Sequence, residues 1–149
     1  MVSIQQSRRR FLVSKEKYQE ILDFWFKESS QQDHWSKNDA YDKKIHNLFM
    51  VDLEKAIQNE YDDWQDNSKS SLALIIVLDQ FSRNLFRNNP KSYTQDTKSR
   101  LLVTEGIDRE YLDELDPPER LFYLLPLVHS EEMQDHLFVQ QLGEVFLKD

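Results

Sequence analysis

The sequence has no cysteine and, over 149 residues, only two glycines and four prolines. Without cysteine there is no disulfide, no thiolate zinc or iron–sulfur site and no thiol nucleophile, which fits a reducing compartment. Average usage of roughly 12% glycine plus proline would give about three times as many of the two residues. Sandwiches, barrels and dinucleotide-binding folds need turn glycines at frequent intervals, so their scarcity points to an all-helical domain. No glycine-rich phosphate loop and no nucleophile elbow can be written from this chain. Positive charge is also in short supply: 27 acids stand against 19 bases, a net charge of −8. That balance argues against sequence-independent nucleic-acid binding and against an anionic membrane surface. The longest apolar run is Leu72 to Leu78, far short of the roughly 18 residues that a membrane-spanning helix requires. Arg8-Arg9-Arg10-Phe11-Leu12 imitates a twin-arginine export signal, but Lys15, Glu16, Lys17 and Glu20 follow where an apolar stretch is needed. A cytoplasmic protein is the expectation.

What is present is helical periodicity. Residues 1–13 are polar, basic and aperiodic and predict a flexible arm, leaving 14–149 as one all-helical domain. The first helix is expected from Ser14 as N-cap to about Lys27, with Tyr18, Ile21, Leu22 and Trp25 on one face. A second, from about Asp39 to Glu60, repeats Tyr41, Ile45, Leu48, Phe49, Leu53, Ala56 and Ile57 at the 3.6 period. The third runs from near Ser68 to about Arg87 and, having almost no polar side, should be the most buried. Asn88-Asn89-Pro90 predicts a turn, and a fourth helix from about Ser92 is expected to end with Gly106 as its C-cap. Asp116-Pro117-Pro118-Glu119 opens a fifth, which Pro126 should end or kink. Ser130 should open the sixth. About six helices in antiparallel hairpins describe a bundle or a short superhelix. Trp25, Trp35, Trp64, Phe24, Phe26 and Phe49 read as core rather than as a stacking platform.

Two stretches carry candidate chemistry. On a wheel advancing 100° per residue from Leu72, Asp79 falls at about 340° and Arg83 at about 20°, on the same arc as Ile76 and Phe86. Charges on a buried arc must be paired or must face a polar cavity. Asp79 and Arg83 stand i, i+4 with the acid first, the favourable order for an ion pair. Arg83, with Arg87 one turn on, could instead hold an anion. The second stretch is His129-Ser130-Glu131, at the entrance to the sixth helix, where an anion or a catalytic carboxylate could sit. The plain alternative is Ser130 as a helix cap and His129 as a packed loop residue. His129, Glu132 and His136 share a helix face, but no H-E-x-x-H or E-x-x-H pattern supports a metal, and none is expected, nor any other cofactor.

Ile21-Leu22-Asp23-Phe24-Trp25-Phe26, then Asp79-Gln80-Phe81-Ser82-Arg83-Asn84, then Phe122-Tyr123-Leu124-Leu125-Pro126 followed by His129-Ser130-Glu131, resemble a mainly bacterial family. It is the family called domain of unknown function 924, whose central motif reads D-Q-F-P-R-N. The resemblance spans the chain from Tyr18 onward. It implies an all-α fold similar to a right-handed tetratricopeptide-repeat superhelix, and no established reaction, substrate or cofactor. The sequence departs from the pattern at Ser82, where the motif has proline, and in lacking the family's closing segment after Asp149. The expected ligand-contacting set is Asp79, Gln80, Arg83, Asn84, Arg87, His129, Ser130 and Glu131, with His129 and Glu131 as candidate proton carriers. The expected partner is a protein, a peptide or a small anionic molecule. Leu142, Val145, Phe146 and Leu147 near the end predict either a homodimer through the last helix or a frayed, aggregation-prone end.

Overall fold

A computed structural model describes residues 3–130 and 132–146, apart from the side chains of Ser7, Arg10 to Ser14 and Phe146. Among the described residues there are eight α-helical segments and no strand. The chain divides into two compact units, Met1–Asn38 and Asp39–Asp149. None of its described helices is long and apolar enough to cross a membrane.

In the first unit, α1 spans Ile4–Asp23 and continues into a π-helical turn, Phe24–Glu28. Its start lies ten residues before the expected Ser14 cap. Ser3 is the N-cap: its side chain accepts from the Gln6 amide at 3.1 Å, and the Gln6 side chain accepts from the Ser3 amide at 3.0 Å. This reciprocal pairing satisfies two of the amides that a helix start leaves open, and it requires no apolar periodicity. Ile21, Leu22, Phe24 and Trp25 are buried. α2, Gln31–Trp35, follows, and its His34 stacks on Trp25 with ring centroids 4.2 Å apart. Burial pushes the His34 imidazole below its ordinary pKa. Trp35, expected in the core, is exposed.

In the second unit, α3 spans Asp39–Ile57 and buries Tyr41, Ile45, Phe49, Leu53 and Ala56, whereas Leu48 faces outward. Two residues beyond α3, Asn59 takes a left-handed φ of 68°. Lys98 closes that end from a later helix, its ammonium donating to the Ala56 carbonyl, Asn59 Oδ1 and Asp62 Oδ1. Then comes the central rod. α4, Ser68–Ile75, passes without a break through a π-helical turn, Ile76–Phe81, into α5, Ser82–Leu85. Every residue from Leu72 to Leu78 has no exposed surface, as the unbroken apolar run requires.

Asn88 takes φ 63° to turn the chain, and Asn89 Oδ1 accepts from the Lys91 amide to start a short 3-10 turn, Pro90–Tyr93. α6, Asp96–Asp108, comes next, so Gly106 lies inside the helix rather than capping it. Its role is close packing. A Cβ there would stand 1.7 Å from Tyr123 Oη. The Tyr123 hydroxyl pairs with Ser71 Oγ at 2.9 Å, and burial pushes its pKa upward.

α7, Pro117–Val128, opens as expected, with Glu119 Oε1 accepting from the Asp116 amide at 2.9 Å. Pro126 does not end it. The turn closes around the proline because the amides of His129 and Ser130 still reach the carbonyls of Leu125 and Leu127. α8, Met133–Phe146, starts three residues after the expected Ser130. Met133, Leu137 and Val145 on α8 are exposed, and Leu147 lies outside the described residues.

Candidate functional site

The site is organised by one carboxylate. Asp79 sits in the π turn of the central rod, and its side chain is 1% exposed. A buried charge is tolerated only when donors surround it. Arg83 Nη1 donates to Asp79 Oδ1 at 2.7 Å and to the Asp79 carbonyl at 3.1 Å. Gln80 Nε2 donates to Oδ2 at 2.9 Å. His129 Nδ1, arriving from the C-terminal end of α7, lies 3.2 Å from Oδ1. The pair expected within one helix is therefore a hub joining two helices.

Arg83 reaches outward as well as inward. Its two terminal nitrogens face the two oxygens of Asp96, the first residue of α6, at 3.2 and 3.1 Å. Its guanidinium carbon lies 5.5 Å from the centroid of the exposed Tyr93 ring. Arg87 is held separately. Its Nε and Nη2 donate to the two oxygens of Asp42 at 2.8 and 3.0 Å, and Asn84 Nδ2 adds a third bond to Asp42 at 2.9 Å. The hydrogen bonds from Arg87 to Asp42 raise the arginine's pKa above its ordinary value.

Thus the expected residues fall into three groups. Asp79, Gln80, Arg83 and His129 come together; Asn84 and Arg87 join Asp42; Ser130 goes elsewhere. Ser130 Oγ donates to Asp135 Oδ2 at 2.6 Å and accepts from the Glu132 amide, which makes it part of the α7–α8 link. Asp135 is in turn held by Arg100, whose hydrogen bond keeps the carboxyl below its ordinary pKa. Glu131 lies outside the described residues. Among the described residues no three His, Cys, Asp or Glu side chains gather as a metal site. His136 Nε2 is occupied by the Ser130 carbonyl, and His129 caps the end of α7 rather than lying on α8 with His136.

The partners Asp42, Asp96, Asp135 and Arg100 escaped the sequence reading. Asp42, Asp96 and Asp135 each lie in the first turn of a helix, where an acid is unremarkable because the helix dipole favours it. Only the fold brings them to a guanidinium. A cavity of about 650 Å³ is lined by Lys15, Glu16, Gln19, Glu20, Asp23 and Glu28. None of the candidate residues lines it.

Fold and site together define an all-α protein with a carboxylate-centred polar network on its most buried helix. The chain belongs to the family described as a bacterial protein of unknown function, DUF924, whose model matches residues 21–149. It is similar to the solved structure of a protein of unknown function, ATU0120, from Agrobacterium tumefaciens. The two share 30% identity and a TM-score of 0.84, over 90% of this chain and 78% of the other. No curated protein matches the chain.

Proposed function

We propose that this member of the family is a helical-repeat-like binding module whose ligand meets the face formed by Arg83, Asp96, Arg87 and His129. The observation that carries this reading is the split between an inner and an outer layer. Asp79 is closed to solvent, whereas the side chains of Arg83, Arg87, Asp96 and His129 are 23%, 31%, 35% and 28% exposed. A network that served packing alone would gain nothing from leaving its outer groups open, whereas a recognition face needs polar groups fixed from behind. The ligand class in this reading is a protein, a peptide or a small anion. This reading places the chain in the cytoplasm, a reducing compartment that suits a sequence without cysteine.

A second reading has a specific observation in its favour. With Nδ1 directed at Asp79, the Nε2 atom of His129 is the ring nitrogen left for proton transfer, as in an oriented general base. The enzyme of this reading acts on a small anionic substrate held by Arg83. Ligands found by a thermal-shift screen of metabolites and phosphorylated compounds decide between the readings, since a bound ligand raises the melting temperature by mass action. A binding module keeps its ligand unchanged over hours and loses affinity in His129→Gln. Turnover that His129→Gln abolishes, at unaltered affinity, establishes the enzyme. Hits whose NMR shifts avoid Arg83, Arg87 and His129 overturn both.

A further inference from the structure

We infer that Asp96 is the resident occupant of an oxyanion seat on Arg83, and that a ligand carboxylate or phosphate takes its place. The inference rests on the reading above, that this face meets the ligand. Arg83 has an inner and an outer side. The inner side is fixed: Nη1 is 2.7 Å from Asp79 Oδ1, which also lies against His129, while Gln80 holds the other oxygen of the same carboxylate. The outer side meets Asp96 through two parallel contacts, one oxygen to each terminal nitrogen, at 3.2 and 3.1 Å. That fork is the geometry in which arginine recognises carboxylate and phosphate oxyanions generally.

Three features make Asp96 exchangeable while Asp79 is not. The Asp96 side chain is 35% exposed against 1% for Asp79, so it can turn into water by side-chain rotation. Its contacts are longer than the 2.7 Å inner one. The preceding residue, Gln95, makes no side-chain cap, and no bond from the Asp96 side chain to an α6 amide holds it in place. An incoming anion replaces one negative charge by another at the start of a 13-residue helix, so the positive end of its dipole favours the newcomer as it favours Asp96. The Tyr93 ring over the guanidinium walls one side of the seat. Exposed ion pairs are weak, so competition from Asp96 lowers ligand affinity by about fivefold or less. Asp96 sets a threshold that excludes weak anions without blocking strong ones.

The test uses inorganic phosphate and acetate as probes on the full chain, followed by calorimetry and by NMR of the arginine side-chain N–H signals. Asp96→Asn is expected to bind phosphate more tightly than the parent, by up to about fivefold, with the Arg83 signals moving on titration. Adding Arg83→Lys to Asp96→Asn should return binding to or below the parent level, because an ammonium cannot offer the fork. If Asp96→Asn is too unstable to study, Asp96→Ser keeps a residue suited to a helix start and is expected to show the same gain. Equal affinity in the variant and the parent overturns the seat, as does binding that moves other signals but not those of Arg83. Should that happen while screen hits still move His129 and Arg87, the seat alone fails. If no ligand moves any of the three, the recognition face fails with it.

Discussion

Replacing Arg83 by alanine separates a structural network from a surface decoration. Removing one partner of a buried ion pair typically costs about 3–5 kcal/mol, because the remaining charge is stranded. Here Asp79 is stranded only in part. It keeps Gln80 at 2.9 Å and His129 at 3.2 Å. A hydrogen bond to a charged group returns about 1.5–3 kcal/mol. The outer contact with Asp96 adds little, since both side chains meet solvent and such pairs are worth about 0–1 kcal/mol. The expected loss for Arg83→Ala is therefore about 2–3 kcal/mol. Urea unfolding followed by tryptophan fluorescence measures it, with Arg109→Ala as a control whose ion pairs to Glu105 and Asp66 are exposed. The same reasoning requires that Arg83 and His129 act through the shared oxygen. A double-mutant cycle of Arg83→Ala with His129→Ala should then depart from additivity by about 1 kcal/mol or more. A loss below about 1 kcal/mol for Arg83→Ala, or strict additivity in the cycle, refutes the claim that Asp79 is a buried charge dependent on its donors.

Gly106→Ala should destabilise the chain by about 2 kcal/mol or more despite alanine's better helix propensity, since its methyl would overlap the Tyr123 hydroxyl; thermal or urea unfolding checks this. Ser82→Ala should raise stability by about 0.5–1 kcal/mol in the same assay, because Ser82 Oγ is fully buried with no hydrogen-bond partner. Asp135 is held below its ordinary pKa chiefly by the Arg100 hydrogen bond, so the unfolded chain takes up the proton first. Its contribution is complete above about pH 4, the ordinary carboxylate value, and drains away as pH falls further. Urea midpoints measured between about pH 5 and pH 2 should decline less steeply in Asp135→Asn than in the parent.

The helical class and the central rod were legible because composition and period act over many residues at once. α3 and the Leu72 to Leu78 run are long, and no turn signal competes with them. The Asp79–Arg83 pair was legible for a related reason: i, i+4 neighbours depend on local geometry alone. Legibility failed wherever a single contact decides. The start of α1 rests on Ser3 and Gln6, which leave no periodic trace. Gly106 carries the signature of a C-cap, and only the Tyr123 hydroxyl from another helix shows that it is a packing glycine. Pro126 leaves α7 unbroken because a proline removes one amide, while the next amides remain free to close the turn. Asp42 and Asp96 lie 45 and 13 residues from the arginines they bind, distances at which spacing carries no information.

The π turn between Ile76 and Phe81 also sets how the chain tolerates a change in length. Within that stretch the backbone winds more loosely than 3.6 residues per turn, in effect holding slack within a rod that is otherwise regular. Deleting one residue there could be absorbed by tightening to an ordinary α-helix, with no hydrogen-bonded turn broken. The residues after the deletion would keep nearly the face they present now, because the loose turn already holds about one residue more than an α turn of the same rotation. An added residue meets no such reserve: it would rotate everything downstream by about 100°, carrying Arg83 away from Asp96. The rod therefore tolerates the loss of one residue in this turn better than the gain of one.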